Sequence, residues 1–142
     1  MDPVSKKKKL VIALLALALI LPLFMISSWG LGILESIALN HAPAEWAASL
    51  DLRVADFYGM TLRSDNQKEV CEKFLATFPS HPRTWYAKYS IATCIERDLD
   101  ASRPAARRAY EDFLNEYGYV PEWNVPEEYV EKARKAVARL KG

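Results

Sequence analysis

The sequence predicts an all-α chain, with one N-terminal transmembrane helix followed by a solenoid of about five helices paired as hairpins. Three observations predict it. Residues 10–34 contain no charged side chain. Beyond them apolar residues recur at helical spacing, and no stretch alternates as a half-buried strand would. Finally, residues 72–82 (EKFLATFPSHP) are echoed at an offset of 39 by residues 111–121 (EDFLNEYGYVP). Repeats of that length, each a helix pair, stack into solenoids because no single pair can bury its apolar stripe alone.

Residues 1–9 are basic, with Lys6, Lys7, Lys8 and Lys9 against Asp2. Residues 10–34 follow as the predicted membrane span. LVIALLALALILPLFMI (10–26) is apolar all round except at Pro22, and only a helix satisfies its own backbone in hydrocarbon. At about 1.5 Å per residue the run is long enough to cross a layer of about 30 Å with some tilt. Gly30 and Gly32 are candidates for packing against another membrane helix. A cleaved signal peptide is the rival, with Ser28-Trp29-Gly30 as a weak small-x-small site, but the run exceeds the usual apolar region of a signal peptide. The four lysines place the N-terminus in the cytoplasm and the C-terminal domain outside. In a bacterium this means the inner membrane, with a periplasmic domain.

Residues 35–44 form a connector that ends near Pro43. Residues 45–142 hold the helical domain. Trp46, Leu50, Val54, Phe57 and Leu62 mark its first helix. Ser64 with Gln67 forms a capping-box pattern that opens the second, carrying Val70, Phe74, Leu75 and Phe78 up to Pro79. Pro82 opens the third, with Trp85, Tyr89, Ala92 and Ile95 on one stripe. Ser102 and Pro104 open the fourth, whose Ala106, Ala109, Phe113 and Leu114 lead to Tyr117. After a loop to Trp123, Asn124 and Glu127 suggest a second capping box and a last helix to about Leu140. That helix starts with Glu127, Glu128 and Glu131 and ends with Arg134, Lys135, Arg139 and Lys141, in the order that complements its dipole.

Phe74-Leu75-x-x-Phe78-Pro79-Ser80 followed by Ala87-x-Tyr89-x-Ile91-Ala92 resembles a tetratricopeptide-type repeat. It is most similar to the kind found in bacterial periplasmic and outer-membrane assembly proteins. Ala109, Phe113, Tyr117 and Pro121 repeat the second-helix positions, and the resemblance covers roughly residues 46–140. The second loop is several residues longer than the pattern, and Gly118 stands where the first proline belongs. The resemblance implies a helical solenoid whose groove binds other proteins.

The residues point away from catalysis. There is no Gly-rich phosphate loop, no HExxH and no CxxC. His41 and His81 are the only histidines, and nearly balanced charge argues against nucleic-acid binding. The expectation is a non-enzymatic scaffold or accessory subunit of a larger membrane complex, whether respiratory, photosynthetic, secretory or envelope-building. Its partners would be other subunits and the lipid bilayer, and it would need no cofactor. The alternative is a cofactor- or pigment-binding or enzymatic subunit that uses the membrane-proximal region around His41. Candidate partner-binding residues are Tyr119 and Trp123, in an aromatic loop, with Tyr86 and Tyr89 on the third helix of the domain. Cys71 and Cys94 lie about three helical turns either side of one hairpin turn. The spacing leaves open a disulfide or two small packed thiols.

Overall fold

The computed structural model describes residues 27–142 apart from 99, together with Val11, Ile12, Ala16, Ala18 and Ile20. From residue 27 onward there are six α-helices: α1 (Ser28–Asn40), α2 (Glu45–Met60), α3 (Ser64–Thr77), α4 (Thr84–Arg97), α5 (Arg103–Tyr117) and α6 (Glu127–Leu140). One 3-10 turn, Pro121–Trp123, precedes α6, and no strand occurs among these residues. The last five helices match the predicted five in number and order.

Local chemistry explains several of the starts. Ser27 caps α1, its hydroxyl accepting from the Gly30 amide at 3.1 Å. Ser102 caps α5 in the same way through the Ala105 amide, and Pro104 sits in the first turn, where a missing N–H costs nothing. Neither predicted capping box forms. Ser64 is already helical and Gln67 is buried, and α6 starts at Glu127 without a side-chain cap. Asn124 instead takes φ 46°, closing the 3-10 turn in the left-handed region that asparagine tolerates.

Each helix packs on its neighbours in sequence, and the connections are short, so successive helices run in opposite directions. Alternate helices also meet. Tyr86 of α4 reaches Asp56 of α2, and the Trp85 and Tyr89 rings of α4 lie 5.0 Å from that of Tyr129 in α6. On the other side, Lys73 of α3 bonds Glu35 of α1 at 2.8 Å. The result is two rows of helices, α2, α4 and α6 in one and α1, α3 and α5 in the other.

Two apolar clusters hold the rows together. One joins α1, α2 and α3 around Leu31, Leu52, Val70 and Phe74; the other joins α4, α5 and α6 around Tyr110, Phe113, Tyr117 and Val130. The internal repeat maps onto them directly. Phe74 and Phe113 are each fully buried, one per cluster, and Phe78 and Tyr117 are each buried one turn further on.

The inward face of α2 differs from the predicted stripe. Trp46 and Leu62 are exposed, while Ala47, Ala48, Asp51, Leu52, Val54, Ala55 and Tyr58 are buried. Ala47, Ala48 and Ala55 let α1 and α3 close on both sides of α2, Leu52, Val54 and Tyr58 fill the space between them, and Trp46 at the start of α2 and Leu62 just beyond its end stay outside.

About half of the predicted membrane span, residues 10, 13–15, 17, 19 and 21–26, lies outside the described residues. Its last residues, 28–34, run without a break into the predicted connector as α1, and Leu31 and Ala38 of that helix are buried against the domain. Among the described residues no helix is long and apolar enough to cross a membrane. Gly30 is buried, while a Cβ at Gly32 would meet only open space, so Gly32 lies in no close helix contact within the described structure.

Candidate functional site

The row α2, α4 and α6 frames an open groove. Its first part, a cavity of about 470 Å³, is lined by Asp56, Met60, Tyr86, Tyr89, Thr93 and Tyr129 among others. A second cavity of about 570 Å³ continues it toward the C-terminal ends of α4 and α6. It shares Tyr89, Thr93 and Arg97 with the first and adds Lys132, Lys135 and Arg139.

The floor is aromatic and rigid. Tyr86 meets Tyr129 edge-on at 6.1 Å, and Tyr89 meets Tyr110, Phe113 and Tyr129 within 6.0 Å. Arg83 lies over the Tyr86 ring at 5.0 Å, and Lys132 over Tyr129 at 5.2 Å, both within cation–π range. The Tyr86 hydroxyl donates to Asp56, and that of Tyr110 donates to Glu96 at 2.8 Å. Glu96 also holds Arg139 of α6. Burial, and next the bond to Asp56, push the Tyr86 phenol well above its ordinary range; burial also raises Tyr89 and Tyr110. All three are therefore protonated donors at neutral pH. Met60, 78% exposed at the end of α2, is the one large apolar side chain that rises from the groove edge into solvent. A surface of this kind, with packed rings, cationic side chains along one side and a flexible thioether at the rim, suits a peptide or helix of another protein.

The structure separates the four partner-binding candidates. Tyr86 and Tyr89 lie in the groove. Tyr119 and Trp123 lie in the α5–α6 connection, at the opposite end of the helices from Met60. Tyr119 is 67% exposed and sits under Arg134, whereas Trp123 is half-buried with its ring 5.2 Å from Tyr117. The loop is therefore divided between one exposed ring and one that packs over the core. Sequence reasoning missed Tyr129, which links Tyr86 to Tyr89. The repeat could not reveal it, because the offset of 39 sets Tyr129 opposite Ser90.

Cys71 and Cys94 are both buried and free. Cys94 Sγ donates to Gln67 Oε1 at 3.3 Å, one turn of α3 before Cys71, while Cys71 lies within the first apolar cluster. Burial raises both thiols, that of Cys94 to about 11, so neither is a reactive thiolate. His41 donates from Nδ1 to the Ile37 carbonyl at 2.8 Å, with its ring 5.1 Å from that of Trp46. His81 accepts from the Arg83 amide and stands edge-on to Phe74; burial, then Arg83, lower its pKa. Both histidines are thus engaged locally. Among the described residues no group of three or more His, Cys, Asp or Glu side chains could hold a metal.

A further feature lies under the groove's first helix. Asp51 is fully buried in the α1–α2–α3 cluster, and neither of its carboxylate oxygens has a hydrogen-bond partner. Burial, and then the nearby Glu35 carboxylate, raise its pKa to about 7, against the opposing pull of Lys73. Comparison with protein-family models, with curated proteins and with solved structures finds no match to the chain.

Proposed function

We propose that this protein is a membrane-anchored interaction subunit, a tetratricopeptide-like scaffold or accessory component of a larger membrane assembly. It binds a segment of another subunit in the α2–α4–α6 groove. The observation that carries the reading is the groove itself, a continuous open channel with an aromatic floor and an exposed methionine at its rim. The anchor falls within the uncharged residues 10–26, which follow four lysines; residues 28–34, the end of the predicted span, are packed on the domain as the start of α1.

Affinity purification of the full chain from its native membrane should recover a partner. Met60→Asp, at a side chain that is mostly solvent-exposed, should leave folding intact and release that partner. The loss should be about 2 kcal/mol, as expected for an interface anchor. Tyr119→Ala should leave the partner in place. Retention by the Met60 variant and loss by the Tyr119 variant would move the interface to the α5–α6 loop.

The orientation is tested separately. A reporter that works only outside the cytoplasm, fused after Gly142, should be active. Activity of a cytoplasm-only reporter at the same position would reverse the topology.

A further inference from the structure

We propose that the end of the helix array from which residue 27 emerges is a docking surface for anionic phospholipid headgroups, so that the domain stands upright on the bilayer. The proposal rests on the reading of the uncharged residues 10–26 as an anchor.

The starts of α1, α3 and α5 and the ends of α2, α4 and α6 share this end of the molecule. Arg63, in the α2–α3 turn, donates to Ser28 at the start of α1 at 3.0 Å. Cys94 near the end of α4 meets Gln67 near the start of α3, and Arg139 near the end of α6 meets Glu96 near the end of α4.

Charge is divided between the two ends. The half of the domain at this end, residues 27–34, 53–70, 91–110 and 133–142, contains eleven basic residues against six acidic ones. The far half contains four basic residues against eleven acidic. The helix dipole accounts for α6, which starts with Glu127 and Glu128 and ends near Arg139. It does not account for α5. That helix runs the other way, yet Arg103, Arg107 and Arg108 crowd its positive N-terminal end, while Glu111, Asp112 and Glu116 occupy its negative half. The arrangement opposes the dipole of α5, so helix stability is not its cause. What the basic residues of α5 and α6 have in common is their place in the molecule.

Apolar groups accompany the charge. Leu62, in the turn beside Arg63, is 80% exposed and has φ 59°, a left-handed conformation that a bulky side chain rarely takes. The turn holds a leucine pointing outward at the same end as the exposed Trp29 of the first turn of α1. A tryptophan, a protruding leucine and arginines together match the boundary between headgroups and acyl chains. The occupant follows from the chain itself. The uncharged residues 10–26 lead into Ser27 at this end, so a bilayer that holds them lies next to it. Each basic residue close to an anionic surface favours the docked state by about fivefold. The acidic far end has no such attraction, so the charge distribution favours the orientation with the basic end on the surface.

Hydrogen exchange of the full chain in lipid nanodiscs tests this. In discs containing phosphatidylglycerol, amides in residues 60–65 and 100–105 should exchange more slowly than in discs of phosphatidylcholine alone. Residues 78–83 and 118–126, at the far end, should not change. High salt should remove the difference. The double variant Arg103→Glu, Arg108→Glu should lower the ratio of docked to undocked protein by about 30-fold or more. Unfolding would also speed exchange at residues 78–83 and 118–126, so unchanged exchange at the far end separates loss of docking from any weakening of α5. Equal exchange in the two lipids, or protection at the far end instead, would overturn the proposal. Failure to enter phosphatidylcholine discs would overturn the anchor; binding of anionic discs through the basic end would then still support the docking surface. Binding of neither kind would overturn both.

Discussion

Phe113→Ala should destabilise the protein by about 3–5 kcal/mol, and Phe74→Ala by a similar amount. Both rings are fully buried, and both are walled by other rings. Phe113 lies 5.5 Å from Tyr89 and 6.0 Å from Tyr117; Phe74 lies 5.3 Å from Phe78 and 5.5 Å from His81. Tyr89 and Tyr117 are fixed on α4 and α5, and Phe78 and His81 are tied by backbone hydrogen bonds in the turn after α3, so neither set collapses into the space a phenyl ring leaves, and the cost of the cavity adds to the lost transfer energy. A domain of this size is stable by only about 5–15 kcal/mol, so either change is a large fraction of the total. Denaturant unfolding of the detergent-solubilised chain, followed by far-ultraviolet circular dichroism, measures the effect. A loss below about 1 kcal/mol at both positions would mean that the repeat's phenylalanines do not carry the core. Because the two rings belong to separate clusters, the double variant should lose close to the sum of the two single losses.

Asp51→Asn should stabilise the protein increasingly as pH rises. With its pKa at about 7 in the folded chain against 3.8 in the unfolded one, Asp51 keeps its proton on folding over that interval. Below it both states are protonated. Within it only the folded state is, so unfolding releases a proton and stability falls as pH increases. Above about 7 the buried carboxylate is charged, and the loss is complete. The span corresponds to at most about 4 kcal/mol. The gap in unfolding free energy between the asparagine variant and the wild type should therefore widen by about 2–4 kcal/mol from about pH 4 to about pH 8. Glu35 and Lys73, which act on Asp51, and Glu69, which pairs with Lys73, are present in both proteins, so taking the difference removes most of their contribution. Parallel stability profiles would show that Asp51 is hydrated or paired.

The sequence made the helices legible and hid some of their faces. The five helices of the domain were readable because Pro79, Pro82, Pro104 and the polar turns punctuate an otherwise regular spacing of large apolar residues. The stripes of α3 and α5 were readable because Val70, Phe74, Phe78, Phe113 and Tyr117 are large and are buried. That of α2 was only partly readable: Val54 was on the predicted stripe and is buried, but Ala47, Ala48, Ala55 and Asp51 also face the core, and hydrophobic periodicity scores these as neutral or polar. Half of the candidate site was legible: Tyr86 and Tyr89 stood out as aromatics on a predicted helix. Tyr129 and Met60 join them only through packing between alternate helices, which no local spacing encodes. The polarity of the two ends was equally hidden. In the linear sequence α5 and α6 carry opposite charge gradients, which become one only when the helices fold back on each other.

Packing confined largely to neighbours along the chain also bears on how the protein reaches this structure. Closing a contact between adjacent helices sacrifices little loop entropy, and chains dominated by such contacts fold in microseconds to milliseconds. Synthesis adds only about 5–20 residues per second. Each hairpin therefore has time to form as it leaves the ribosome or the membrane, before the next helix exists. The α1–α3 cluster can close around Phe74 while α5 and α6 are still unmade, so the first half of the core does not wait for the second.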